Sequence, residues 1–338
     1  MASEFDLIRR HFARATPQAV LGPGDDCALV APSPGQTLAI TTDMLVAGVH
    51  FFADTDPWRL GWKTLAVNVS DLAAMGARPR WALLAGALPA ADESWIAAFT
   101  GGFFACAERY GVDLIGGDTT RGPLTVSVTA IGEVPPGAAL RRDGARAGDD
   151  LWVSGTPGLA SLGLAAARGR VRLDAALARR CRDALETPTP RVELGLALRE
   201  RALAHSAIDV SDGLLADLGH ILECSGLAGE VELATLPAAP DGVDPMLWRD
   251  CLLAGGDDYE LVFSAPPEAR PAIEALAQAL ALPLTRCGRL AAAGAPATQA
   301  DAPGFGLAAG AAPLRVLDAE GRPLVLTRRG YDHFDQEI

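Results

Sequence analysis

Apolar positions along this chain keep two periods, two residues and about 3.6 residues, and the first half switches between them in a regular order. "TLAITTD" (37–43) reads as a strand that ends on an acid. "DPWRLGWKTLAVNVSDLAAMG" (56–76) carries the helical period, with a proline near its start and Gly76 as a stop. "RWALLAGAL" (80–88) predicts a second strand, and "ADESWIAAFTGGFFACAERYG" (91–111) a helix with acids early and glycine late. "VDLIGGD" (112–118) and "LTVSVTAIGEV" (124–134) follow as strands. A short amphipathic helix at 5–14 and a loop at 21–26 precede them all. Strand, helix, strand, helix, strand, strand is the order of an α+β layer.

"PPGAALRRDGARAGDD" (135–150) breaks the pattern with proline, glycine and charge, and marks a domain boundary. The chain therefore divides into 1–136 and 137–338. The second half alternates again: a strand at 151–154, the glycine-bearing turn "SGTPGLAS" (154–161), and helices to about 204. Next come a strand and helix in "AIDVSDGLLADLGH" (207–220), and strands in "GEVELA", "YELVFSA" and "LTRCGRL". A helix around 266–281 and an alanine- and proline-rich surface loop at 291–312 complete the reading.

Composition narrows the class. With 338 residues, 49% hydrophobic and 21% charged, the chain can bury two sizeable cores. No apolar run reaches the roughly 20 residues of a membrane span, and the N-terminal stretch lacks the order of a signal peptide, so a cytoplasmic location is expected. The 6 cysteines form no CxxC pair and the 5 histidines no HExxH, which suits buried free thiols rather than a zinc site. A formal net charge of −13 argues against a general nucleic-acid binder. It leaves room for a small phosphate-bearing ligand, because divalent metal reverses the local sign.

The chemistry lies where apolar elements deliver carboxylates at their edges. "GPGDDCALV" offers Asp25 and Asp26, "AITTDM" Asp43, "VNVSDLAAMG" Asp71, "LIGGDTTRG" Asp118, and "AIDVSDG" Asp209 and Asp212. "LAGGDDYELVF" adds Asp257, Asp258 and Glu260. Each alone is explained as well by a turn or a helix cap. Converging, they would repel one another without cations, and oxygen-rich groups suit magnesium held between protein and phosphate. Asp71 stands apart because it lies inside an apolar helix, where a cap does not account for it and the plain alternative is an exposed mid-helix aspartate. "GGD" (116–118) lets the backbone approach a ligand closely, and "SGTPGLAS" could present N–H groups to phosphate at a helix start. His50, Arg121 and Arg142 are further candidates, each equally at home as an ordinary structural residue. No GxxxxGK[ST], kinase HRD or DFG, or strand-borne GxGxxG pattern is present.

Taken together, "GPGDDCALV", "TTDMLVAGVHF", "NVSDLAAMGARP", "LIGGDTTRG", "AIDVSDGLLADLGH", "GGDDYEL" and "GYDHF" resemble the thiamine-monophosphate kinases of the aminoimidazole ribonucleotide synthetase-like superfamily. The segments run in the family's order as far as Phe334. The resemblance implies a two-domain α/β fold whose N-terminal domain binds ATP and magnesium and dimerises through its sheet. It implies ATP-dependent phosphorylation of thiamine monophosphate to the diphosphate. Asp26, Thr41, Thr42, Asp43, Asp71, Asp118, Asp209 and Asp212 match the family's magnesium positions, with Asp71, Asp118 and Asp212 as its catalytic acids. Gly117, Asp118, Arg142 and Ser211 match nucleotide contacts, and His50, Asp257 and Tyr331 match contacts to the thiamine substrate. At 257 the family often carries glutamate, and this chain has the shorter aspartate. Another enzyme of the superfamily, such as an aminoimidazole ribonucleotide synthetase, would share the ATP site and differ in its acceptor.

Overall fold

A computed structural model describes residues 4–293, 314–326 and 330–331, and it groups the chain into two compact units. The first holds residues up to Ala139 together with Glu186–Val192; the second holds Leu140–Leu185 and the chain from Glu193 onward. The chain thus returns to the first unit with a short segment, whose Pro188 carbonyl accepts from Trp62 Nε1 at 2.8 Å.

The first unit contains α1 (Glu4–Leu7), β1 (Thr37–Val46), α2 (Pro57–Ala74), β2 (Arg78–Leu88), α3 (Glu93–Tyr110), β3 (Asp113–Arg121) and β4 (Thr125–Val134). A single π-helical turn, Ile8–Phe12, follows α1 where the sequence predicts one continuous helix. The strands form a sheet in the order β1-β4-β2-β3, antiparallel except for the β2–β3 pair. α2 starts because the Asp56 side chain accepts the Arg59 N–H and Pro57 needs no donor there. It ends at Gly76, whose φ of +63° suits a residue without a side chain. α2 is buried along most of its length, and α3 packs against it closely. A Cβ at Gly61 would lie 1.9 Å from the Phe99 carbonyl oxygen, and one at Gly102 would lie 1.7 Å from that of Trp58. Two glycines facing backbone set the distance between these helices.

Alternation puts Thr41, Asp43 and Leu45 on the face of β1 turned toward α2, and Ile40, Thr42 and Met44 on the other. That second face is open: Ile40 is 65% exposed, Met44 57% and Leu83 37%.

The second unit contains β5 (Asp150–Ser154), α4 (Leu159–Ala167), α5 (Ala175–Glu186), α6 (Val192–Glu200), β6 (Ser206–Asp209), α7 (Leu214–Ser225), β7 (Leu227–Glu232), α8 (Pro245–Ala254), β8 (Leu261–Ala265), α9 (Arg270–Leu280), β9 (Leu284–Ala292) and β10 (Leu314–Leu317). Its sheet runs β10-β7-β9-β5-β8-β6. Leu214, Leu218, Ile221 and Leu222 of α7 pack into one core with Ile208, Val210, Val153, Leu252 and Val262. Both sheets agree with the mixed α/β reading. α8 and β10 were not foreseen, and of the loop expected at 291–312 only the first residues are described, two of which extend β9.

Candidate functional site

In the first unit the acid inside the apolar helix meets the strand beside it. The Thr41 hydroxyl donates to Asp71 Oδ2, and the Asp43 N–H donates 3.0 Å to Asn68 Oδ1. Asn68 and Asp71 are three apart on α2, so they share the stripe that faces alternate residues of β1. Asn68 is fully buried and also donates to the Thr64 carbonyl, which satisfies its amide at both ends. Sequence reading passed over Asn68, although a buried amide one turn before Asp71 is the mark of a supported polar site. His50 lies just beyond β1, where its Nδ1 accepts the Val46 N–H at 3.0 Å. The neutral ring then carries its proton on Nε2. Buried Lys63 reaches the carbonyl of His50 at 3.5 Å, tying this turn to α2.

The other candidates of this unit stand elsewhere. Thr42 lies on the open face and donates to the Val128 carbonyl at 3.0 Å. Asp118 is exposed and shares a sheet row with Ala85, Ser127 and Met44 of that same face. Gly117 shares the row of Asp43 at the opposite edge, three strand spacings or about 14 Å away. A Cβ at Gly117 would sit 1.8 Å from the Leu84 carbonyl oxygen, so glycine is required there. Asp26 is exposed in the 21–29 loop, its N–H held by the Asp25 carboxylate at 2.8 Å.

In the second unit three segments distant in sequence converge by main-chain hydrogen bonds. The N–H of Asp257 donates to the Ser211 carbonyl at 2.8 Å, and that of Tyr331 donates to the Asp212 carbonyl at 2.9 Å. Asp209 ends β6 beneath them and is buried. Ser211, Asp212, Asp257 and Tyr331 therefore form one cluster at the start of α7. Arg142 does not join it within this unit. Its carbonyl accepts from Ser225 at the far end of α7, a helix of 12 residues and so about 18 Å long. The last three residues of "GYDHF" lie outside the described residues.

Two buried carboxylates build this cluster: Asp217, which the sequence reading passed over, and Asp258, which it named only as one of a run of acids. Asp217 Oδ2 accepts the N–H groups of Ser211, Asp212 and Gly213 at 3.0, 3.1 and 3.1 Å, fixing the turn before α7. Its pKa is pushed up to about 7, first by burial and then by the charge of Asp212. Asp258 accepts the N–H groups of Gly158 and Ala160 at 2.6 and 3.2 Å, and burial raises its pKa despite those two bonds. This corrects the expectation for "SGTPGLAS": two N–H groups at the start of α4 already hold the protein's own carboxylate, so that turn is no ready phosphate cradle. Glu260, also buried, accepts from the Ser154 hydroxyl at 2.5 Å. Asp257 and Tyr259, on either side of Asp258, have φ of +69° and +52°. Each such non-glycine conformation costs about 1–3 kcal/mol and persists only where surrounding bonds impose it.

The chemistry of the donors is uniform: hard carboxylate and hydroxyl oxygens. Among the described residues no group of three or more His, Cys, Asp or Glu side chains could hold a metal ion alone. Hard oxygen donors suit magnesium, which keeps waters and substrate phosphates among its ligands and takes only one or two carboxylates.

The two units correspond to the two domains of the AIR synthase related proteins. Their N-terminal domain family matches residues 24–134, and the corresponding C-terminal domain family matches residues 146–301. The thiamine-monophosphate kinase of Escherichia coli (strain K12) is 43% identical over 98% of each chain. A crystal structure of thiamine-monophosphate kinase from Stenotrophomonas maltophilia K279a is 52% identical, with a TM-score of 0.78 over 82% of this chain and 89% of that one. The structure of AaThiL complexed with AMPPCP and TMP is 28% identical, with a TM-score of 0.73 over 90% of this chain and 89% of that one. The chain belongs to the thiamine-monophosphate kinase family.

Proposed function

We propose that this protein transfers the terminal phosphoryl group of ATP directly to thiamine monophosphate, giving thiamine diphosphate and ADP. The observation that carries the reading is the 43% identity to a thiamine-monophosphate kinase along almost the whole of both chains. Geometry supports it in each unit. Thr41, Asp43 and Asp71 meet on β1 and α2, and Asp257 and Tyr331 meet the Ser211–Asp212 turn.

ATP and a phosphate monoester together bring roughly six negative charges to a site, counting about −1.5 to −2 for the monoester. Aspartates cannot hold that charge directly. We assign Asp26, Thr41, Thr42, Asp43, Asp71, Asp118, Asp209 and Asp212 to magnesium, which when bound neutralises the phosphate oxygens. Gly117, Asp118, Arg142 and Ser211 are assigned to the nucleotide, and His50, Asp257 and Tyr331 to thiamine monophosphate. The attacking phosphate oxygen is already ionised, so no strong general base is required, and positioning supplies most of the catalysis. No phosphoenzyme is formed in this scheme.

Residues 1–136 carry the dimerisation role in this reading. Ile40, Met44 and Leu83, exposed on the open face of the sheet, support a homodimer, because exposed apolar side chains on one sheet face favour a partner. Among the described residues no helix is long and apolar enough to cross a membrane, and we place the enzyme in the cytoplasm.

A coupled assay of ADP release tests the activity. Purified protein with magnesium and ATP should release ADP when thiamine monophosphate is added and not when free thiamine replaces it. Comparable turnover of free thiamine would defeat the reading.

A further inference from the structure

The stretch Asp257–Tyr259 holds two left-handed residues, one on each side of a buried acid, and neither is glycine. Three sets of bonds impose this shape. The N–H of Asp257 donates to the Ser211 carbonyl and that of Tyr259 to the Val210 carbonyl, both at 2.8 Å, while the Val210 N–H donates 2.8 Å to the Glu260 carbonyl. Asp258, between them, is locked by the N–H groups of Gly158 and Ala160. Gly256 leaves no freedom before it, since a Cβ there would lie 2.3 Å from the Ser211 carbonyl oxygen. The backbone is therefore fixed on both sides of Asp257. Its side chain is held as well, because the mostly buried Tyr259 hydroxyl donates to Asp257 Oδ1 at 3.1 Å.

We propose that Tyr259 is a positioning residue that sets substrate affinity by fixing the Asp257 carboxylate. The inference rests on the assignment of Asp257 to thiamine monophosphate. A short carboxylate has less reach than a glutamate, and a hydroxyl from the next turn of the same strained segment holds one of its oxygens in place. The carboxylate is then held in one orientation, and the cost of ordering it on binding is removed before substrate arrives. Thiamine's thiazolium ring is a cation, so an ordered carboxylate acts on binding rather than on the phosphoryl step. The effect belongs in the KM for thiamine monophosphate, not in kcat.

Tyr259→Phe removes the hydroxyl and keeps the buried ring. It should raise the KM for thiamine monophosphate by about 3- to 10-fold, the range of one hydrogen bond. The KM for ATP, kcat and the melting temperature should stay close to their original values. Asp257→Gly deletes the carboxylate at a φ that glycine adopts freely, so it tests the contact without adding strain. The double variant should then be no worse than Asp257→Gly alone, because the hydroxyl acts only through that carboxylate. Multiplying effects in the double variant, or an unchanged KM in Tyr259→Phe beside a raised KM in Asp257→Gly, would overturn the inference. An unchanged KM in Asp257→Gly would remove the substrate assignment beneath it. Absence of thiamine-monophosphate-dependent ADP release by the unaltered chain would remove the function itself.

Discussion

The two units hold their functional acids in different ways. In the first, the groups that meet sit on regular elements: Asp71 and Asn68 on α2, the Thr41 hydroxyl and the Asp43 N–H on β1. In the second, Ser211, Asp212, Asp257 and Tyr331 sit on turns, and buried Asp217 holds the main chain at 211–213 while buried Asp258 holds that of the turn before α4. A helix and a strand are rigid through their own hydrogen bonds. A turn has none to spare, so its N–H groups need an acceptor, and Asp217 and Asp258 supply it. Losing an acid should therefore remove chemistry in the first unit and structure in the second.

Asp71→Asn gives the largest expected effect. It keeps the shape and the Thr41 hydrogen bond but removes a charge matched to a metal position. The kcat should fall by about two or more orders of magnitude, the scale of one preorganised electrostatic group. The melting temperature, measured in EDTA, should hold, since the shape and the Thr41 hydrogen bond are kept and repulsion among acids is relieved. Near-normal kcat in this variant would mean that α2 carries no part of the reaction.

Asp217→Ala should behave the other way. It leaves three N–H donors at the start of α7 without their acceptor, and unfolding in urea should show a loss of about 3 kcal/mol. Asp217→Asn keeps one acceptor oxygen and should lose less. If Asp217→Ala melts like the original protein while its kcat collapses, the contrast between the two units fails, and Asp217 belongs with the reacting groups.

The same contrast explains what could be read from the sequence. The elements of the first unit follow their periods closely, and α2 is marked at its start by Asp56–Pro57 and at its end by Gly76. α8 has the same Asp–Pro start, at Asp244–Pro245, but only 10 residues of periodic pattern, too few to stand out between loops. β10, with 4 residues, is shorter still. The acid-bearing segments were legible as segments because carboxylates beside apolar runs are conspicuous. The work of Asp217 was half legible: an acid in the first turn of a helix stabilises its N-terminus, and it stands four residues after Gly213. The work of Asp258 was not, because its partners at 158 and 160 lie about 100 residues earlier. Nor does any glycine signal the left-handed backbone at Asp257 and Tyr259; bonds with Val210 and Ser211, just after β6, and from the start of α4 impose it.

The smallest effect sharpens the comparison at one position in each unit. Cys27 and Cys224 are exposed, while Cys106, Cys181, Cys251 and Cys287 are buried. Burial pushes the thiols of Cys181 and Cys287 up to about 11 and about 12, so neither forms thiolate near neutral pH. A thiol reagent at neutral pH should therefore modify two cysteines in the folded chain and all 6 after denaturation. Cys27 follows Asp26, assigned to magnesium in a loop held by few main-chain bonds, whereas Cys224 lies at the end of α7 away from the Ser211–Asp212 turn. Saturating magnesium and ATP should slow the labelling of Cys27 severalfold and leave Cys224 unchanged, as read by mass spectrometry of the labelled peptides. Equal protection of both would point to a change through the whole chain, and protection of neither would remove Asp26 from the metal set.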